Sequence, residues 1–148
     1  EEKGNLDKLD WDIFLIPHHG PYKFFTKKEH EEGREEAKKN PEKTSMAILS
    51  RGKTNGWLVC SSRPVKENNY DDDAPPHIEA IRHYRQVAEA LGTKDHFVCL
   101  MEYPDQNAPK PLEIRLTQRG LQKKDCSIPK VIVGSGPVSQ PRRWGNQW

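Results

Sequence analysis

Residues 11–20 read WDIFLIPHHG, and this stretch decides how the fold is interpreted. Its first six residues form a compact, mostly apolar run that Pro17 closes. The length and bulk of this run predict a buried strand in a sheet that is covered on both faces. The strand leads into the turn His18-His19-Gly20, so we expect both histidines at an edge of the sheet.

The histidine pair has two explanations when it is considered alone. Neighbouring side chains of a strand point in opposite directions, so His18 and His19 reach one metal ion only if the turn at Gly20 bends the chain. Structural histidines are the commoner explanation of an isolated pair, and metal ligation is the alternative. The surrounding sequence has to decide between them.

The supply of apolar residues is small for a chain of 148 residues. Hydrophobic residues make up 33% and charged residues 31%, whereas one modest domain of this length must bury most of its apolar surface. Either much of the chain is loop, or another segment or chain completes its core. The formal net charge of +2 does not by itself indicate a nucleic-acid partner.

The cysteines exclude a zinc knuckle. Cys60, Cys99 and Cys126 are far apart and form no CxxC pair, and a reducing compartment is the simplest explanation of their odd number. The sequence has no apolar run of transmembrane length and no signal peptide, so we expect a cytoplasmic location. The chain begins at Glu1 rather than Met, which favours a fragment or a processed or trimmed product.

The remaining pattern alternates strands with helices. Helices are predicted over 26–40, where Thr26 and Glu29 fit a capping box, and over 77–91, where apolar residues recur at helical spacing before Gly92. Further strands are predicted over 46–50, 97–101, 112–117 and 130–133, with a turn over 51–56 and a solvated loop over 61–76 that includes the aspartates 71–73. This order indicates a layered α/β architecture.

Residues 12–20, DIFLIPHHG, resemble the "D-hydrophobic-P-H-H-G" strand of metallo-β-lactamase-fold domains of the ComEC type. In that family a helix, a strand that ends in Ser, a Gly-x-x-Asn turn and a second helix follow. This chain offers a helix that ends at Pro41, then Ser50, then GKTN at 52–55, then PPH at 75–77, so the match spans about residues 10–91. It departs from the family at Pro21, where Ser is usual, in the twenty or so residues before His77, and in lacking a His-x-His-x-Asp-His motif.

The resemblance implies the C-terminal half of an αββα sandwich over residues 1–103, completed by another segment or chain, with an extension over 104–148. It implies two divalent ions, zinc or manganese, and a nuclease or phosphodiesterase activity, in bacterial defence or DNA processing. By the same resemblance His19 is the metal ligand and His18 a catalytic residue beside the metal or the substrate phosphate. Ser50, Asn55 and His77 are candidates for substrate binding, with turn or helix capping as the alternative.

Two alternatives remain open. The chain is interpreted either as part of this enzyme or as a metal-free scaffold of the same fold that binds protein or nucleic acid.

A nucleotide site at VGSG, residues 133–136, is disfavoured because Pro137 follows and no helix pattern does. Cationic and aromatic residues suit a phosphate backbone or a protein groove, namely Arg51, Lys53, Arg142, Arg143, Trp144 and Trp148.

Overall fold

A computed structural model describes residues 9–68, 74–92 and 94–124 of the chain. The strands are β1 (Trp11–Leu15), β2 (Gly52–Cys60), β3 (Phe97–Cys99), β4 (Glu113–Thr117) and β5 (Gly120–Lys124), and the α-helices are α1 (His30–Lys39), α2 (Lys43–Leu49) and α3 (Ile78–Leu91). Short 3-10 turns lie at Pro17–His19, Tyr22–Phe24 and Lys94–His96. Within these ranges, no helix has the length and apolar character needed to span a bilayer.

The central sheet contains β1, β2 and β3 in chain order, and both pairs of neighbours are parallel. Parallel neighbours need long crossovers, which α1 and α2 provide between the first two strands and α3 provides between the second and third. β4 and β5 form a separate antiparallel hairpin. The predicted α/β architecture is therefore confirmed at this level.

The two faces of the sheet have different covers. Successive side chains of β2 point to opposite faces, so Leu58 and Cys60 belong to one core cluster while Trp57 and Val59 belong to another. The first cluster includes buried residues of all three helices, which therefore lie on one face. On the second face, Leu112, Ile114 and Leu121 in and beside the hairpin pack against Trp57, Val59 and Val98.

Among the described residues, the hairpin face is only partly covered over β1. Ile13 pairs with Trp57 and Leu15 pairs with Val59, so both side chains share the face of the second cluster. Yet Ile13 is 39% exposed and Leu15 is 72% exposed. The predicted strand is confirmed, but the prediction that both of its faces are buried is wrong for the described residues.

The prediction of a strand over residues 46–50 is wrong. These residues form the end of helix α2. The short apolar run MAIL is compatible with either structure, and its neighbours decide. Ser45 and Leu49 are buried four residues apart on one side of the helix, and the Ser45 hydroxyl donates to the carbonyl of Phe24. Tertiary packing therefore selects the helix.

The predicted turn over 51–56 lies inside β2 as an irregularity of the strand. Trp11 pairs with Gly52 and Ile13 pairs with Trp57, so four residues, 53–56, lie opposite Asp12 alone. Gly56 leaves room for the Trp11 ring, because a Cβ there would lie 3.0 Å from it. The bulge therefore accommodates a large aromatic ring at the start of the sheet.

The other predicted elements have mixed outcomes. The helix over 77–91 is confirmed, and the strands over 97–101 and 112–117 are confirmed over shorter ranges. The predicted capping box is wrong, because α1 begins at His30 and Thr26 Oγ1 instead accepts the Lys28 N–H at 3.1 Å. Strand 130–133, aspartates 71–73, the VGSG stretch, Cys126 and residues 142–148 lie outside the described residues.

Candidate functional site at the carboxyl edge of the sheet

The carboxyl ends of the three parallel strands share one edge of the sheet, which is where open α/β sheets usually bind ligands. The HHG turn follows β1 at this edge, and Ser61 and Ser62 follow β2. Helix α3 begins at the same edge, since the backbone N–H of His77 donates to the Gly20 carbonyl at 3.1 Å. Sequence, topology and hydrogen bonding thus bring His18, His19 and His77 to one region.

The HHG turn has an unusual backbone. His18, His19 and Gly20 have φ angles of 45°, 65° and 82°, all in the left-handed region. This region is strained for histidine and easy for glycine. The surroundings also require glycine at the third position, because a Cβ on Gly20 would lie 3.1 Å from Ile81 Cδ1. Left-handed non-glycine residues cluster at functional sites, where the surrounding structure maintains the strain.

The imidazole of His19 is oriented by the end of β2. Its Nδ1 is hydrogen-bonded to the carbonyl oxygen of Ser61, with the Ser61 hydroxyl 3.5 Å away. A carbonyl oxygen only accepts hydrogen bonds, so Nδ1 must carry the hydrogen, and Nε2 of the neutral ring keeps its lone pair. His19 is exposed, so this lone pair is accessible to a ligand.

His77 is at the same edge but is directed into the protein interior. Its side chain is only 3% exposed, and its Nδ1 accepts the backbone N–H of Tyr22 at 3.3 Å. His18, in contrast, is exposed beside His19 in the turn. The two residues of the histidine pair are therefore available to a ligand, whereas His77 contacts the backbone that follows them.

Ser50 and Asn55 are not brought to this edge. Ser50 follows α2, where its hydroxyl donates to the Ala47 carbonyl at 2.9 Å. Asn55 lies in the bulge at the start of β2, next to Gly92, which ends α3. Because α3 begins at the histidine edge and ends at Gly92, the length of the sheet separates Asn55 from His19.

The cations near Ser50 are paired with carboxylates. Arg51 forms an ion pair with Asp10, and Lys53 Nζ lies 2.8 Å from Asp12 Oδ2. The hydrogen bond and the charge of Asp12 raise the pKa of Lys53. These residues therefore form ion pairs within the chain at the edge opposite the histidines.

The sequence interpretation missed several residues at the carboxyl edge. Ser61 was hidden because the run GWLVC at 56–60 was not identified as a strand, and the shared edge of parallel strands would have indicated it. Glu79, 4% exposed, pairs with Arg34 at 3.8 Å in the first turn of α3. The charged sequence around Arg34 gave no signal that this ion pair is buried.

The buried thiols next to this edge do not suit nucleophilic chemistry. Cys60 and Cys99 are register partners on neighbouring strands, and both are buried free thiols. Burial raises the pKa of Cys60 to about 11, so its thiol stays protonated at neutral pH. The Ser62 hydroxyl lies 3.4 Å from Cys99 Sγ and completes a structural contact.

Among the described residues, His19 has the hydrogen-bonding pattern of a metal ligand. The Nδ1–H of a metal-binding histidine usually donates to a carbonyl or carboxylate, as that of His19 does to Ser61. No group of three or more His, Cys, Asp or Glu residues suited to hold a metal ion occurs within 9–68, 74–92 and 94–124.

Comparisons with protein-family models, with curated proteins and with solved structures found no match to this chain.

Proposed function

We propose that this chain contributes His19 as one ligand to the metal site of a phosphodiester hydrolase, either a nuclease or a phosphodiesterase. The observation that carries the proposal is the hydrogen bond between His19 Nδ1 and the Ser61 carbonyl in an exposed, left-handed turn. This bond selects the tautomer in which Nε2 can coordinate zinc or manganese. The sequence resemblance of residues 12–20 supports the same role.

The remaining ligands are proposed to come from a segment or chain outside the described residues. Two divalent ions, when bound, would lower the pKa of a water molecule and polarise a phosphoryl oxygen. His18 lies next to His19 and is exposed, so its imidazole is proposed to donate a hydrogen bond to the substrate phosphate. The Ser61 carbonyl orients His19, and Gly20 permits the turn that presents both rings.

The exposed apolar face of β1 supports the proposal that a further segment or chain packs against the sheet. Ile13 and Leu15 share the face of the second core cluster and are 39% and 72% exposed among the described residues. Isolated apolar side chains are common on protein surfaces, but two on one face beside a core cluster favour a docking surface. We propose that the segment or chain with the other ligands covers this face, and that the assembly is cytoplasmic, in keeping with free Cys60 and Cys99.

A titration of the 148-residue chain with Mn²⁺, followed by NMR, tests the role of His19. We expect paramagnetic broadening at the amides of residues 18–20, its loss in His19→Ala, and its retention in His30→Ala, which removes an exposed histidine elsewhere. Long-range ¹H–¹⁵N spectra should show the hydrogen of His19 on Nδ1. A hydrogen on Nε2, or equal broadening in wild type and His19→Ala, would contradict the proposal.

The exposed face of β1 also supports a second function, that of a metal-free scaffold that binds a partner through Ile13 and Leu15. Metal analysis of the native assembly separates the two functions. Two metal ions per assembly, lost together with hydrolysis of bis(p-nitrophenyl) phosphate in His19→Ala, support the hydrolase. An assembly that forms fully without any metal supports the scaffold.

A further inference from the structure

Among the described residues, His77 makes two hydrogen bonds to the backbone that follows His19. Its backbone N–H donates to the Gly20 carbonyl at 3.1 Å, and its ring Nδ1 accepts the Tyr22 N–H at 3.3 Å. These two bonds lie on either side of Pro21, which has no N–H of its own. One residue at the start of α3 therefore fixes the chain on both sides of this proline.

His77 is itself held firmly in the interior. It precedes the first turn of α3 and is 3% exposed, and the Tyr22 ring packs edge-on against its imidazole at a centroid distance of 4.9 Å. The Arg34 guanidinium lies 5.7 Å from the centroid of the Tyr22 ring and pairs with buried Glu79. A packed group of side chains thus supports the ring that binds the Tyr22 backbone.

The direction of the bond defines the state of the His77 ring. Because the Tyr22 N–H can only donate, Nδ1 of His77 must have a lone pair, so a neutral ring carries its hydrogen on Nε2. The tautomers of the two histidines are therefore opposite, with Nδ1 the donor in His19 and the acceptor in His77.

We infer that His77 is a positioning residue that fixes the HHG turn and so keeps the His19 ring on the Ser61 carbonyl. Strained left-handed residues persist only where contacts on several sides determine them, and here β2 acts on His19 while His77 acts on residues 20–22. The consequence for metal binding rests on the proposed function, but the effect on the turn does not. His77, which the sequence indicated as a candidate for substrate binding, is thus inferred to act through His19.

Two variants of nearly equal size test which nitrogen of His77 matters. In His77→Asn, the side-chain oxygen takes the place of Nδ1 and can accept the Tyr22 N–H. In His77→Gln, the oxygen takes the place of Nε2 and cannot. His83→Asn is the control for a lost buried hydrogen bond, because His83 is also a buried histidine of α3, but its Nε2 donates to the Ala37 carbonyl at 2.6 Å, far from the turn in sequence. The Asn amide takes the place of Nδ1 and cannot replace this donor.

Three measurements on the full chain report on the conformation of the HHG turn. In His77→Gln we expect amide hydrogen exchange at Tyr22 to accelerate by about tenfold, the size expected when one buried hydrogen bond is lost. We also expect a mixed tautomer at His19 and at least a several-fold loss of Mn²⁺ broadening at Gly20. In His77→Asn all three readouts should stay near wild type.

The control separates positioning from general destabilisation. His83→Asn should lower stability without changing the His19 tautomer, and if it changes the tautomer as much as His77→Gln does, the inference is wrong. Equal behaviour of the Asn and Gln variants at Tyr22 and His19 would also overturn it. If wild type shows no Mn²⁺ response but the tautomer still depends on His77, the proposed function fails and the positioning role stands.

Discussion

At the scale of the residue, Gly20 is the position where the turn tolerates least change. Any L side chain at φ 82° costs about 1–2 kcal/mol, and a Cβ here also meets Ile81 at 3.1 Å. We expect Gly20→Ala to lower the free energy of unfolding by roughly 2 kcal/mol or more. Urea denaturation followed by circular dichroism measures this change.

Gly120→Ala is the control for the effect of backbone strain alone. Gly120 also has a positive φ, 98°, but no neighbouring group in the described part of the chain lies within 4 Å of the point that a Cβ would occupy. We expect a loss of about 1 kcal/mol in this variant, from strain without crowding. Equal losses in the two variants would mean that the contact between residue 20 and Ile81 contributes nothing.

Cys60 makes the free energy of unfolding depend on pH in the alkaline range. The folded state raises the thiol pKa from 9.0 to about 11, so the folded protein holds this proton while the unfolded chain releases it. The stabilisation that the protonated Cys60 thiol gives the folded state is fully present below pH 9. It is lost as the pH rises to about 11. We expect Cys60 alone to lower the free energy of unfolding over this window by at most about 1.4 kcal/mol per pH unit.

A comparison with Cys60→Ala isolates this contribution, since the other titratable groups are present in both proteins. The variant should be less stable at pH 8, because a buried side chain is shortened, but its stability should fall less steeply between pH 9 and 11. Parallel pH profiles for the two proteins would exclude Cys60 as the source.

At the scale of the element, the sequence predicted best where the pattern was long or chemically distinctive. Helix α3 has fourteen residues with apolar side chains at helical spacing, and β1 is a continuous apolar run. The short run MAIL was ambiguous, and the contacts of Ser45 and Leu49 decided for helix α2. The bulge of β2 depends on the Trp11 ring, which lies on another strand and leaves no local signal.

The site could be predicted in part for the same reason. His18 and His19 follow a strand end directly, so their position at the edge is a local property of the sequence. Ser50 and Asn55 were grouped with them because of the order of motifs along the chain, whereas the sheet places Asn55 at the opposite edge. The role of Ser61 depends on which strands are neighbours, and a single sequence does not show that.

Matched substitutions on neighbouring strands test the difference between the covered and uncovered parts of the sheet. Leu15 and Val59 are register partners on the same face, but Leu15 is 72% exposed and Val59 is 7% exposed. Leu15→Lys should change the free energy of unfolding by less than about 0.5 kcal/mol, whereas Val59→Lys should cost at least about 3 kcal/mol. Similar losses would show that β1 is covered in solution.

At the scale of the whole molecule, the chain is a sheet with helices on one face and a partial cover on the other. If the proposed partner layer covers β1, Leu15→Lys should reduce assembly and metal content while the isolated chain stays as stable as wild type. Analytical ultracentrifugation and metal analysis of the native assembly measure both effects. Unchanged assembly would mean that the partner binds elsewhere.

The β4–β5 hairpin has a geometric consequence for any such partner. Its apolar side chains already occupy the sheet surface above β2 and β3, through Ile114 and Leu121. Among the described residues, the free part of this face lies over β1, so a second layer that uses it would border the hairpin. The hairpin thus acts as a fixed boundary that would align an incoming layer with β1, directly above the strand that leads into the two histidines.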